Sequence, residues 1–376
     1  MAKLRQSLVL VIAILLVSAG PHTLAYDVDG GVADYEQAKR HWLNQVNEHN
    51  EDTAVLSNAV NFLQLHDKAL AEEILFRASE LEPGNPQWSV RLGYLYALAI
   101  LGVDGLGKNR VPTSFDQEEP AGPFAQKAWD AVTNCNNPFV CGTAATTLFQ
   151  YGMMLPMYAG RELKTETRNL SESALLTARK LQPENPMWLE GLSDFYRSMA
   201  AIAKTTEEKS ALAARSLPAL EQYLSWIPEG DDNLLLYTQY ARATYTADEK
   251  QKAMAAATEL LKLAAKNPDN SAYGPAVHYG NLILGSLALH NNQLDVARAS
   301  LVRAGRIPGG GTLSSFGPNM ALAKEMLEQG ETEVVLEYLE LCKVFWISKY
   351  SGGRPEQWIR TIKAGDMPDF GANLRY

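Results

Sequence analysis

The chain has 376 residues, 46% of them hydrophobic and 20% charged, and its 43 acidic against 34 basic side chains give a formal charge of −9. Such a length admits two or three ordinary domains or one elongated array that needs no single shared core, while the acidic balance argues against nucleic acid as a partner. Neither the spacing of Cys135, Cys141 and Cys342 nor any nearby histidine cluster resembles a tetrahedral zinc set, so no metal and no cofactor is expected.

Residues 1–25 carry Lys3 and Arg5, an apolar run from Leu8 to Ala19 and a small-residue ending at Thr23-Leu24-Ala25. That order reads as a secretory signal peptide cleaved near Ala25, which places the mature chain in a periplasm or outside the cell. The apolar run is short of the roughly 20 residues that span a bilayer, which leaves an uncleaved membrane anchor as the second reading, and charges interrupt every later apolar stretch, so no membrane span is expected in the mature chain. From there apolar residues recur at helical spacing, predicting helices over 34–48, 54–66, 69–81 and 87–101. Between Gly102 and Pro120 the pattern breaks into a segment rich in Gly, Pro and charge, an irregular insertion. Helices resume at 122–133, 142–159, 169–181, 186–203, 207–226, 232–246, 248–266, 275–290, 293–305, 318–329 and 332–347, and no strand is needed. Residues 348–376 are expected to add a capping helix over 355–364 and a tail. Cys135 and Cys141 flank Asn136-Asn137-Pro138; in an oxidising compartment they either close a small disulfide loop or stay as two partly buried thiols. Cys342 falls at a helical core position.

Leu75 to Tyr96 reads LFRASELEPGNPQWSVRLGYLY, and one hundred residues on Leu175 to Tyr196 reads LLTARKLQPENPMWLEGLSDFY. Leu75, Ala78, Leu81, Pro83, Asn85, Pro86, Trp88, Leu92 and Tyr96 all recur in the second copy. The block is the end of one helix, a turn and the start of the next: Pro83 stops the first, Asn85 can cap, and Pro86 suits a first helical position. Leu92-Gly93 with Tyr96, and Leu284-Gly285 with Ala288, follow a Leu-Gly-x-x-Tyr signature. Ala71, Leu75, Ala78 and Pro83, then Ala297, Leu301 and Ala304, follow the small-x-x-x-large-x-x-Ala signature of a second helix, and Leu322-Ala323 with Met326, then Val335, Leu339 and Cys342, form a looser copy.

These residues resemble the tetratricopeptide repeat, a unit of about 34 residues in two antiparallel helices. The resemblance implies an all-α solenoid of helix pairs, an α-α superhelix, over residues 26–347 with the insertion at 102–120, whose concave groove takes a peptide or another protein. Carrying the family's groove-facing positions onto the clear units nominates Gln87, Val90, Tyr94, Met187, Glu190, Asp194, Arg197, Leu282, Ser286, Met320 and Lys324 as partner-binding residues. The function so implied is an extracytoplasmic interaction scaffold; the alternatives are an envelope hydrolase with a site in the 102–142 or 306–317 loops, and a solenoid that binds a small ligand.

Motifs that suggest chemistry are weak. Gly102 to Asn109 nearly matches a phosphate-binding loop, but it follows a helix rather than a strand, and Asn109 replaces the magnesium-binding hydroxyl. Asp369-Phe370-Gly371 lacks the catalytic loop that would make it a kinase triplet, and reads as a packed tail. Gly309-Gly310-Gly311-Thr312 precedes a helix and can offer free amides to an anion, or is simply an inter-repeat loop. Met153, Met154 and Met157 lie at helical spacing, which favours core packing over a soft metal site. No serine or histidine stands in a hydrolase or metallopeptidase motif, so no catalytic residue is assigned.

Overall fold

The computed structural model describes residues 32–106, 112–114, 122–158, 162–228 and 233–374. The proposed signal peptide and most of the insertion lie outside these residues. The described chain is almost wholly helical and groups into two compact units, one up to Phe195 and one from Tyr196.

The first unit contains α1 (Val32–Glu48), α2 (Thr53–Leu63), α3 (Lys68–Leu81), α4 (Pro86–Leu101), α5 (Pro123–Thr133), α6 (Pro138–Tyr158), α7 (Thr165–Leu181) and the first part of α8 (Pro186–Ile202). Polar side chains start these helices by satisfying amides that have no partner within the helix. Asp52 accepts from the Ala54 and Val55 amides, Asp67 from Leu70 and Asn137 from Phe139 and Val140. From α1 to α7 each helix packs on its chain neighbours, and α4 lies directly against α6. At that crossing a Cβ on Gly93 would fall 2.5 Å from the Val140 carbonyl oxygen, so only glycine permits the approach. Glu72, with 2% of its surface exposed, ties three helices together by accepting from the Tyr96 hydroxyl and the Lys127 ammonium.

The hundred-residue duplication proves to be a locked turn. Glu82 accepts from Asn85 Nδ2 at 2.8 Å and from Trp88 Nε1 at 2.9 Å, while Asn85 Oδ1 accepts from the Gln87 amide at 3.1 Å. Gln182 repeats the arrangement with Asn185 Nδ2 at 3.0 Å and Trp188 Nε1 at 3.2 Å, and Asn185 Oδ1 takes the Met187 amide at 3.1 Å. Asn and Trp recur because both their polar ends are used, and position 82 accepts either carboxylate or carboxamide because only its oxygen is asked for.

The expectation that no strand is needed fails in the insertion. Gly102 ends α4 in the left-handed conformation at φ 65°, and β1 (Asp104–Leu106) then pairs antiparallel with β2 (Pro112–Ser114), Asp104 opposite Ser114. A chain that leaves a helix without continuing it must pair its backbone elsewhere, and a short ribbon does so. Cys135 and Cys141 form a disulfide with their Cα atoms 5.8 Å apart, joining the end of α5 to the first turn of α6.

The second unit holds the end of α8, α9 (Thr206–Ser225), α10 (Leu234–Thr246), α11 (Lys250–Lys266), α12 (Tyr273–His290), α13 (Leu294–Gly305), α14 (Gly311–Phe316), α15 (Ala321–Glu328), α16 (Thr332–Phe345), α17 (Ser348–Ser351), α18 (Arg354–Lys363) and a 3-10 turn at Gly371–Leu374. From α9 to α13 consecutive helices pack on one another, and α10 also touches α12. Alanines carry the close crossings: Ala253, Ala257, Ala297 and Ala304 have no exposed surface. The core ends in an aromatic series, Trp346 to Trp358 at 5.7 Å and Trp358 to Phe370 at 5.0 Å between ring centres, with Tyr338 and Cys342 fully buried beside it. Asp369-Phe370-Gly371 therefore closes a core: Phe370 is 2% exposed and Asp369 accepts from the Gly371 amide. Asn373 then clasps the loop before α15, donating to the Phe316 and Pro318 carbonyls and accepting from the Met320 amide.

Candidate functional site

In the second unit α8, α10, α12 and α15 border a cleft of about 440 Å³. That volume falls in the range of roughly 300–1,000 Å³ typical of ligand-holding clefts. Its floor is apolar, with Leu282 and Ile283 from α12 and Leu322 from α15, and Phe316 stands at its edge with 59% of its surface exposed.

The charge in the cleft has one sign. Arg197 from α8, Lys209 from α9 and Arg242 from α10 line it, and none of the residues lining it is acidic. Arg242 lays its guanidinium over the Tyr279 ring, 4.2 Å from the centroid, a contact that holds the cation flat while leaving its edge donors available. Among the described residues neither Arg242 nor Lys209 has a carboxylate within ion-pair distance. Across the floor Tyr245 shares a hydrogen bond with Ser286; burial pushes its phenol up, and that bond pulls it partly back.

Behind the wall, His278 is fully buried. Its Nδ1 lies 2.9 Å from the Ala304 carbonyl and its Nε2 accepts from the Asn319 amide at 3.3 Å, which fixes the neutral tautomer with the proton on Nδ1. Burial lowers its pKa to about 4, opposed by the Ala304 carbonyl and assisted by the Arg242 charge. The imidazole thus holds Asn319, a residue of the cleft rim, to α12 without contributing charge.

Of the positions nominated from the sequence, Arg197, Leu282 and Ser286 line this cleft. Met320 was expected to face it and does not: the tail covers it, and its side chain has no exposed surface. Lys324 lies outside the lining and pairs with Glu328 on its own helix. In the first unit Val90 is also a core residue rather than a groove residue, at 5% exposure, because Trp88, Val90 and Leu92 all turn inward there. Gln87 is exposed, Tyr94 shares a hydrogen bond with the Tyr151 hydroxyl at 3.0 Å, and Met187, Glu190 and Asp194 are half-buried along α8.

Arg242, Lys209 and Tyr279 were missed. The α10 sequence has no Leu-Gly signature, so no register could be carried onto it; the available signal was Arg242 as the only charge between Leu234 and Thr246.

A broader depression of about 1280 Å³ lies over α13, α16 and α18, but its arginines are already engaged. Arg298 reaches Glu331 at 2.5 and 2.6 Å and Asp295 at 2.9 Å, and Arg303 is held by Asn281 and Ser300. The glycine loop is likewise occupied: Gly310 gives its amide to Ser314 Oγ at 3.0 Å, and the helix that follows has six residues. Met153 is half-buried, and the Met154 and Met157 side chains lie outside the described residues. Among the described residues no three His, Cys, Asp or Glu side chains gather as a metal set, and no helix is long and apolar enough to cross a membrane.

No protein-family model matches this chain, and no curated protein matches it.

Proposed function

We propose that this chain is an exported interaction module of the tetratricopeptide-like kind, which docks an extended segment of another protein in the cleft bordered by α8, α10, α12 and α15. One observation carries the reading: Arg197, Leu282 and Ser286, chosen from repeat register alone, meet in a single concave site. Helices packed on their neighbours supply a stiff wall for such a site, so a ligand need not order it on binding. The lining combines an apolar floor with hydroxyl, amide and cationic groups, which is the composition of a recognition surface.

The test is photo-crosslinking in cells that express the full chain, with a benzophenone residue at Lys209 in the cleft or at Lys343 on α16. The expected result is an adduct of discrete mass from position 209 that disappears when Ser198→Trp fills the cleft. Adducts that form equally from position 343, or that survive Ser198→Trp, would overturn it.

A further inference from the structure

The geometry points to an acidic segment of a partner protein, carrying several side-chain carboxylates interleaved with apolar residues, as the occupant of this cleft. The inference rests on the docking reading above and adds the chemistry of the ligand.

Charge complementarity is the first argument. Acids outnumber bases in the whole chain, 43 to 34, so a surface drawn at random carries carboxylates, yet this lining has three cations and no acid. Such a concentration costs folding free energy by self-repulsion and is useful where an anion is to be received. The second argument is availability. Arg298 and Arg303, in the depression over α13, α16 and α18, are spent on their own neighbours, whereas Arg242 rests on an aromatic face and Lys209 has no carboxylate beside it among the described residues. A guanidinium stacked on a ring keeps its edge N–H groups in the plane that a carboxylate approaches in a bidentate manner.

The third argument separates a segment from a lone carboxylate. The cations come from three different helices, α8, α9 and α10, and the apolar floor comes from α12 and α15, so charge and hydrophobic contact are distributed along the cleft. Alternating acidic and apolar side chains on an extended backbone match that distribution, because successive residues point to opposite sides. Phe316 at the rim offers a ring to an apolar side chain of the same segment.

The experiment uses the whole mature chain and a fluorescein-labelled, C-terminally amidated dodecapeptide that alternates Glu with Leu and Phe. Its counterparts have Gln or Lys in place of Glu, and inorganic phosphate is the competitor. The Glu peptide is expected to bind at least about tenfold tighter than the Gln peptide, to weaken as salt rises, and to lose about tenfold with Arg242→Gln or with Lys209→Glu. Lys343→Glu should leave binding unchanged. Should Arg242→Gln fail to fold, Lys209→Glu carries the test, since that side chain is half-exposed and holds nothing together. Equal affinity for the Gln peptide, or displacement by phosphate at matched charge concentration, overturns the acidic segment. A cleft-dependent crosslink found together with no affinity for the Glu peptide overturns this inference alone; loss of the crosslink as well removes the docking reading with it.

Discussion

His278 uses both ring nitrogens on protein groups and has no exposed surface, so a second proton has no place to go without breaking the bond to the Asn319 amide. Its folded pKa of about 4 lies below the unfolded value of 6.5. The neutral imidazole therefore contributes stability that is complete above pH 6.5 and is lost as pH falls from 6.5 toward 4. Linkage puts the loss between pH 7 and pH 5 at about 2 kcal/mol. Denaturant midpoints of the native chain and of His278→Gln should accordingly converge as pH drops over that interval; a gap that stays constant would show that the ring does not titrate as described. In the sequence His278 was one histidine among six, with nothing to mark it, because its environment is made by Ala304 and Asn319, 26 and 41 residues away. Arg197, Leu282 and Ser286 were legible because they share a helix with a recognisable signature or stand in register with one. Arg242 was not, because repeat register transfers only through the small and large residues that define it.

At the scale of the element, periodicity located every long helix to within a few residues, since each buries a stripe whose spacing is written in the chain. What it missed is short: α14, α17, the 3-10 turn and the β1–β2 ribbon. Each is held by contacts made elsewhere, such as Asn373 on the Phe316 and Pro318 carbonyls, and has too few residues to display a period. The duplicated turn shows the opposite case, in which a local motif fixes a distant packing. Trp188, held at its nitrogen by Gln182, lies so close to α6 that a Cβ on Gly142 would fall 2.0 Å from its ring. Gly142→Ala must displace a side chain that is 1% exposed, an overpacking cost of about 1–3 kcal/mol. Thermal unfolding should register that loss, and pairing Gly142→Ala with Trp188→Leu should recover part of it. Strict additivity of the two changes would mean that the ring and the glycine are not in contact.

For the whole molecule, packing between chain neighbours means that a perturbation should stay within the unit that receives it. Cys135 and Cys141, six residues apart, close a small loop in the first unit. The chain-entropy account gives a bridge of that size about 2 kcal/mol. Reduction should thus speed amide exchange in α5 and α6 while leaving α12 and α13 at their native rates. Exchange that rises equally in both units would show a single cooperative body instead.

Cys342 has the opposite character to that pair. Its sulfur is fully enclosed beside Tyr338, and enclosure pushes its thiol far above the usual cysteine range. Only the thiolate attacks a disulfide, so this sulfur can neither shuffle the Cys135–Cys141 crosslink nor bridge two molecules while the fold holds. An odd number of cysteines is tolerable in an oxidising medium on those terms, and native alkylating reagents should pass the protein by until it is denatured.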